Sequence, residues 1–187
     1  MAMVNLTTPV RPETIASLVQ GDHVLLSGTI YTARDAAHKR FIELIEQGKP
    51  LPVDLNGQFL YYTGPAPAKP GEVIGSAGPT TSSRMDRYTP RLLAATGLCG
   101  IIGKGNRGPA VIDALVEHSC VYCAATGGAG ALLGRCITSA RVVCYEDLGA
   151  EAVFELEVAD FPLIVAIDTK GGNRFVEGPN EWRKKDF

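Results

Sequence analysis

Strand-like apolar runs in this chain come in two regimes, and the change between them constrains the fold more than any other feature. Up to residue 125 they alternate with glycine loops and short helical stretches; from residue 141 onward they follow one another with no helix between. The predicted strands cover 23–31, 58–62, 73–77, 98–102, 120–125, 141–145, 152–158 and 163–167. Alternation alone would suit a doubly wound sheet. The late succession argues instead for a mixed or two-sheet α/β arrangement.

The helical stretches are short. Over 35–47, Ala37, Phe41, Leu44 and Ile45 share one face, and Gly48, Pro50 and Pro52 stop the helix. Thr89 and Pro90 read as N-cap and first-turn proline of a helix over 91–96. Further helices are expected over 109–118, with Val111, Ile112, Leu115 and Val116 inward, and over 130–135. With 187 residues, no internal repeat and no long linker, the chain is expected to be a single domain, 1–187.

Charge and cysteines exclude several function classes. Lys plus Arg is 18 and Asp plus Glu is 20, a net charge of −2. A nucleic-acid surface would carry a basic excess. No apolar run approaches the ~20 residues of a membrane span, and no secretory leader is visible. The expectation is a soluble, cytoplasmic protein. The odd count of cysteines, Cys99, Cys120, Cys123, Cys136 and Cys144, does not suit a disulfide framework. Most sit in apolar runs and read as small buried hydrophobes. Cys120 and Cys123 form a lone CxxC with no second pair, so core thiols are preferred over zinc or redox use.

Three loops, each after a predicted strand, combine cations with glycine, serine or threonine. Thr32-Ala-Arg34-Asp35-Ala-Ala-His38 lies at a strand-to-helix junction, where free N–H groups and an arginine suit a carboxylate. The plain alternative is Asp35 as an N-cap with Arg34 a solvated flank. Gly78-Pro-Thr80-Thr81-Ser-Ser-Arg84-Met-Asp86 sets four hydroxyls before an arginine, the composition of an anion cradle or of a Ser/Thr-rich turn. Gly103-Lys104-Gly105-Asn106-Arg107-Gly108 resembles part of a phosphate loop but lacks the Lys-Ser/Thr pair, which excludes a nucleoside triphosphate site. A small dianion would match Arg34, Arg84 and Lys104 if the loops converge. Gly128, Gly130 and Gly134 come near a dinucleotide fingerprint, but close helix–strand packing is the preferred reading.

These three motifs, in this order, resemble the β subunit of iron–sulfur (class I) fumarate hydratases and the related L-tartrate dehydratase β subunit, over about Leu6 to Phe175. The resemblance implies a swivelling β/β/α domain with mixed strands and short helices. It implies a hydro-lyase that hydrates fumarate to (S)-malate, with L-tartrate dehydration as the alternative. A 4Fe–4S cluster would sit on a partner α subunit, with no metal held by this chain, in a hetero-oligomer such as α2β2. By match to the family pattern, Thr80 is the catalytic proton-transfer residue. Arg34, Arg84 and Lys104 bind the small dicarboxylate substrate or set charge near Thr80. Asp35, His38, Thr81 and Asp86 support. A reading of a different class is a dicarboxylate-binding protein without catalysis.

Overall fold

The strands of both regimes join in one sheet that closes on itself. The computed structural model describes residues 2–126 and 128–183. β1 (Met3–Thr7), β2 (His23–Thr32), β3 (Phe59–Tyr61), β4 (Gly100–Gly103) and β5 (Val121–Ala124) lie side by side and parallel. β6 (Ile137–Cys144) and β7 (Val153–Ile167) are antiparallel. β7 also pairs antiparallel with β5, through Cys123↔Val165, and with β2, through Leu26↔Phe161 and Ile30↔Leu156. β2, β3, β4, β5 and β7 therefore form a ring, and β1 and β6 are its outer edges. The architecture is mixed α/β, as the two regimes of apolar runs predict.

The ring separates two apolar cores by the two-residue period of its strands. Phe59, Tyr61, Ile102, Val121 and Cys123 face inward with Leu26, Leu156, Phe161 and Val165. Leu60, Tyr62, Ile101 and Tyr122 face outward, under helices. Burial on both faces is why these strands read as continuous apolar runs. The covering helices are α2 (Asp35–Glu46), α3 (Thr89–Ala95) and α4 (Pro109–Glu117), which contribute Phe41, Leu92, Leu93 and Leu115. Each such side chain contributes roughly 1.5–3 kcal/mol by leaving water. α1 (Pro12–Ser17) buries Ile15 in the inner core. α5 (Gly130–Arg135) and α6 (Arg174–Trp182) lie outside the ring crossovers.

Several elements depart from the sequence reading. Residues 73–77 are not a strand. Ala66 N–H donates to Ser76 C=O (2.9 Å) and Gly75 N–H to Ala66 C=O (3.1 Å), so the Pro-rich stretch folds into an arm on itself. The two late runs at 152–158 and 163–167 are one strand. It bends at Asp160, whose φ of 49° faces the register shift at Gly28, and Asp160 N–H is held by Ser27 Oγ (3.0 Å). Thr89 is not the N-cap of α3; it is the first helical residue, and its hydroxyl donates to Met85 C=O (2.9 Å). On α4, Ala114 rather than Val116 is inward, and Val116 is 40% exposed. β1, α1 and α6 have no clear sequence signal, being short and mostly exposed.

Candidate functional site

β2, β3 and β4 point their carboxyl ends the same way, and the three cationic loops leave from those ends. Ligands of parallel α/β sheets bind at that edge. The Gly78 loop does not stand beside the sheet; it is threaded into it. Thr80 N–H donates to Tyr62 C=O (2.7 Å), and Tyr62 N–H donates to Ile102 C=O (2.8 Å). Pro79 bridges to Thr63 and Thr81 bridges to Lys104, while Ser82 N–H donates to Lys104 C=O (3.0 Å). Residues 79–82 thus form a rung between the extensions of β3 and β4. Glycine is required at 103, because a Cβ there would lie 1.9 Å from Ser82 Oγ. Tyr61 hydroxyl donates to Ala77 C=O (2.5 Å) and Thr63 hydroxyl to Gly78 C=O (2.8 Å), which fix the entry to the rung. Thr80 is half-buried, and its hydroxyl has no hydrogen-bond partner among the described residues.

The first loop joins this rung through charge. Arg84 holds Asp35 with Nε at 3.2 Å and Nη2 at 2.8 Å. Asp35 is therefore the first residue of α2 and an anchor for Arg84, not a cap. Arg34 lies 3.4 Å from Glu151, and its chain packs over Gly64, where a Cβ would meet Nη1 at 2.8 Å. The anion at the start of α2 is this same Glu151, which accepts Ala36 N–H (3.1 Å). Lys104 is exposed and has no carboxylate within ion-pair distance among the described residues. Thr81 is exposed beside it. The loops bearing Arg34, Arg84 and Lys104 are thus linked: the first to the second by Asp35, the second to the third by the Thr81 bridge.

Asp86 and His38 lie beneath the rim. Asp86 accepts from Arg107 Nε (2.7 Å) and from Gly108 N–H (2.8 Å), tying the second loop to the third. Arg107 is a residue that sequence reasoning missed. It stands inside a loop already singled out, but nothing in the string Lys-Gly-Asn-Arg marks its burial. Glu151 was missed too, and sequence carries no signal for it, since it is 115 residues from Ala36. His38 is fully buried against Tyr62, Tyr88 and Phe41, with Nδ1 2.9 Å from Arg34 C=O. Burial pulls its pKa from 6.5 to about 4; Arg107 adds to the lowering, while the Arg34 carbonyl and Asp35 oppose it. His38 is a core residue whose ring contacts the carbonyl of Arg34.

The rival signals resolve into packing. Gly130 and Gly134 let α5 approach the arm: a Cβ at 130 would lie 2.9 Å from Gly78 N, and one at 134 would lie 2.8 Å from Gly75 C=O. The contact is helix to arm, not helix to strand, and it braces the segment leading to Thr80. Cys99, Cys120 and Cys123 are buried, and burial pushes their thiols up, Cys99 to about 12. Cys136 and Cys144 are half-buried. Among the described residues no group of three or more His, Cys, Asp or Glu is placed to hold a metal ion. These thiols do not fit the iron–sulfur cluster that the family resemblance implies. No helix among the described residues is long and apolar enough to cross a membrane.

Fold and rim together define a mixed α/β unit that carries three linked cation-bearing loops and the Thr80 hydroxyl at the carboxyl ends of parallel strands. The chain belongs to the fumarase C-terminus family, whose model matches residues 1–178. It is 38% identical over 182 residues to the anaerobic class I fumarate hydratase of Escherichia coli (strain K12), covering 95% of this chain and 33% of that relative. It is 38% identical over 156 residues to fumarate hydratase 2 of Leishmania major, covering 83% of this chain and 28% of that relative. A putative L(+)-tartrate dehydratase subunit beta of Methanocaldococcus jannaschii is 40% identical over 168 residues, covering 87% of this chain and 86% of that subunit. The chain spans about a third of the length of the fumarate hydratases it matches.

Proposed function

We propose that this chain supplies the β-type half of a two-part iron–sulfur hydro-lyase that interconverts fumarate and (S)-malate. The observation that carries the reading is the linkage of the three cation-bearing loops, with Thr80 on the rung between two of them and its hydroxyl without a partner among the described residues. Dehydration requires a base for a C–H proton. A threonine hydroxyl is a poor base unless its alkoxide is stabilised, and a neighbouring cation does this. Lys104 is the cation for that part. It has no acidic partner among the described residues, whereas two nitrogens of Arg84 are committed to Asp35. Arg34 and Arg84 hold the substrate carboxylates with charge-assisted hydrogen bonds. Thr81, Asp35, Asp86 and His38 hold the loops in place. The cluster is assigned to an α-type partner, in an assembly such as α2β2, because the thiols of this chain do not fit it.

A second reading, the β subunit of an L-tartrate dehydratase, is favoured by the full-length match to a separate subunit of that name. Anaerobic co-expression with a cluster-bearing subunit, with assays on fumarate, malate and tartrate side by side, decides between them. Fumarate hydration that needs both chains is expected. A preference for tartrate transfers the assignment to the second reading, and full activity of this chain alone without iron sinks both.

A further inference from the structure

Arg107 has a fully buried side chain on a loop whose neighbour Lys104 is exposed. Its Nε donates to Asp86 (2.7 Å) and its Nη2 to Thr89 Oγ1 (2.8 Å), while Nη1 is buried with no partner among the described residues. The guanidinium lies 5.4 Å from the Tyr62 ring and 5.0 Å from the Tyr122 ring. A buried ion pair can often be replaced by apolar side chains of similar volume without loss of stability. Stability alone therefore does not account for a guanidinium here; geometry does.

Several fastenings of the Thr80 rung lead back to a residue that Arg107 touches. Asp86 ends the Gly78 loop, and its second oxygen accepts Gly108 N–H (2.8 Å), so one carboxylate pins both loops. Tyr62 supplies the carbonyl that accepts Thr80 N–H (2.7 Å). Tyr122 hydroxyl lies 2.9 Å from Ser82 Oγ and 2.8 Å from Gly105 C=O, one residue from Lys104. We propose that Arg107 is a positioning residue: through Asp86 it holds Thr80 and Lys104 at a fixed separation, so that the proton-transfer hydroxyl and its supporting charge stay aligned. The inference rests on the hydro-lyase reading for its link to catalysis, but its structural half stands apart from it.

Arg107→Lys keeps the charge and shortens the fork; Asp86→Asn keeps the shape and removes the partner charge. Amide hydrogen exchange on the full chain reads the structural half. Thr80 and Ser82 amides are expected to exchange about tenfold faster in both variants, with Val24 and Leu26 of β2 unchanged. A rise of equal size at both places, or none, overturns the inference. If Arg107→Lys does not fold, Asp86→Asn decides. In the complex with a cluster-bearing subunit, malate deuterated at the carbon that loses its proton is expected to show a larger isotope effect on kcat in both variants. Partial unfolding lowers kcat but leaves that isotope effect alone. An unchanged isotope effect therefore overturns the catalytic half. A wild-type complex inactive on all three dicarboxylates sinks the hydro-lyase reading instead, and the exchange result then decides the positioning role by itself.

Discussion

The rim of the site and the layer beneath it use the same two residue types at nearly the same distance. Arg84 meets Asp35 at 2.8 Å with side chains 49% and 26% exposed, and Arg107 meets Asp86 at 2.7 Å with side chains 0% and 22% exposed. What separates them most is the burial of the arginine, since the two aspartates are similarly exposed. Arg84 of the rim pair is half in water, where an ion pair contributes ~0–1 kcal/mol, so a ligand carboxylate can share or replace its partner. The buried pair has no such exchange available: removing one partner leaves an uncompensated charge, at about 3–5 kcal/mol. In the proposed site one arginine binds and the other builds. Thr80 lies between, fastened by its backbone from below and left open at its hydroxyl.

The largest effect is expected where the two layers meet. Thr80→Ala keeps the backbone bond to Tyr62 and removes only the hydroxyl. Loss of a positioned proton-transfer group lowers kcat about 10²–10⁴-fold, while thermal stability changes by less than ~0.5 kcal/mol. Steady-state rates of the assembled complex and melting of the chain alone check this together. Retained turnover would remove Thr80 from the proton transfer, whereas a wild-type complex without turnover, with dicarboxylate affinity intact in Thr80→Ala, would leave a dicarboxylate binder without catalysis. Next is the buried layer. Arg107→Ala is expected to remove about 3–5 kcal/mol in urea titrations of the chain. A loss below ~1 kcal/mol would put Arg107 on the same footing as a surface arginine and erase the contrast.

His38 extends the contrast to pH. With its pKa lowered by burial from 6.5 to about 4, the unfolded chain binds more protons than the folded one between those values. Stability present above pH 6.5 is therefore lost as pH falls toward 4, by up to about 3 kcal/mol, and this contribution is flat below. His38→Gln should flatten the slope while an amide still donates to the Arg34 carbonyl. Denaturation midpoints of both proteins at pH 7, 5.5 and 4 test it. Parallel curves would mean that the ring takes up its proton in the folded state.

The rim was legible in the sequence because it is local. Glycine, hydroxyl and cation recur within single loops, and each loop follows a strand-like run. The α/β class was legible for the same reason, since apolar runs and breaks are short-range patterns. The buried layer was not, because burial is decided by distant partners: Arg107 by Asp86, Thr89 and two tyrosines; the half-buried Glu151 was hidden for the same reason, its partners being Arg34 and the start of α2. Residues 73–77 have strand-like composition and still form an arm, because their hydrogen bonds are taken by Ala66. The bend at Asp160 reads as a break between strands, because its partner at Gly28 is supplied from the other side of the ring.

A small effect on stability is also expected at the rim, and there the same substitution separates binding from building. Arg84→Ala breaks an exposed pair, so unfolding should shift by less than ~1 kcal/mol. Its cost should appear in KM instead. One lost charge-assisted hydrogen bond is worth about 1.5–3 kcal/mol, roughly a 10- to 150-fold rise. Asp35→Asn makes the complementary test. It leaves the Arg84 charge in place but loosens its aim, so KM should rise less than in Arg84→Ala. A larger rise in Asp35→Asn would mean that Asp35, rather than Arg84, governs the substrate carboxylate. Equal stability losses for Arg84→Ala and Arg107→Ala would show that exposure does not divide the two arginines, and the assignment of rim and foundation would fall with it.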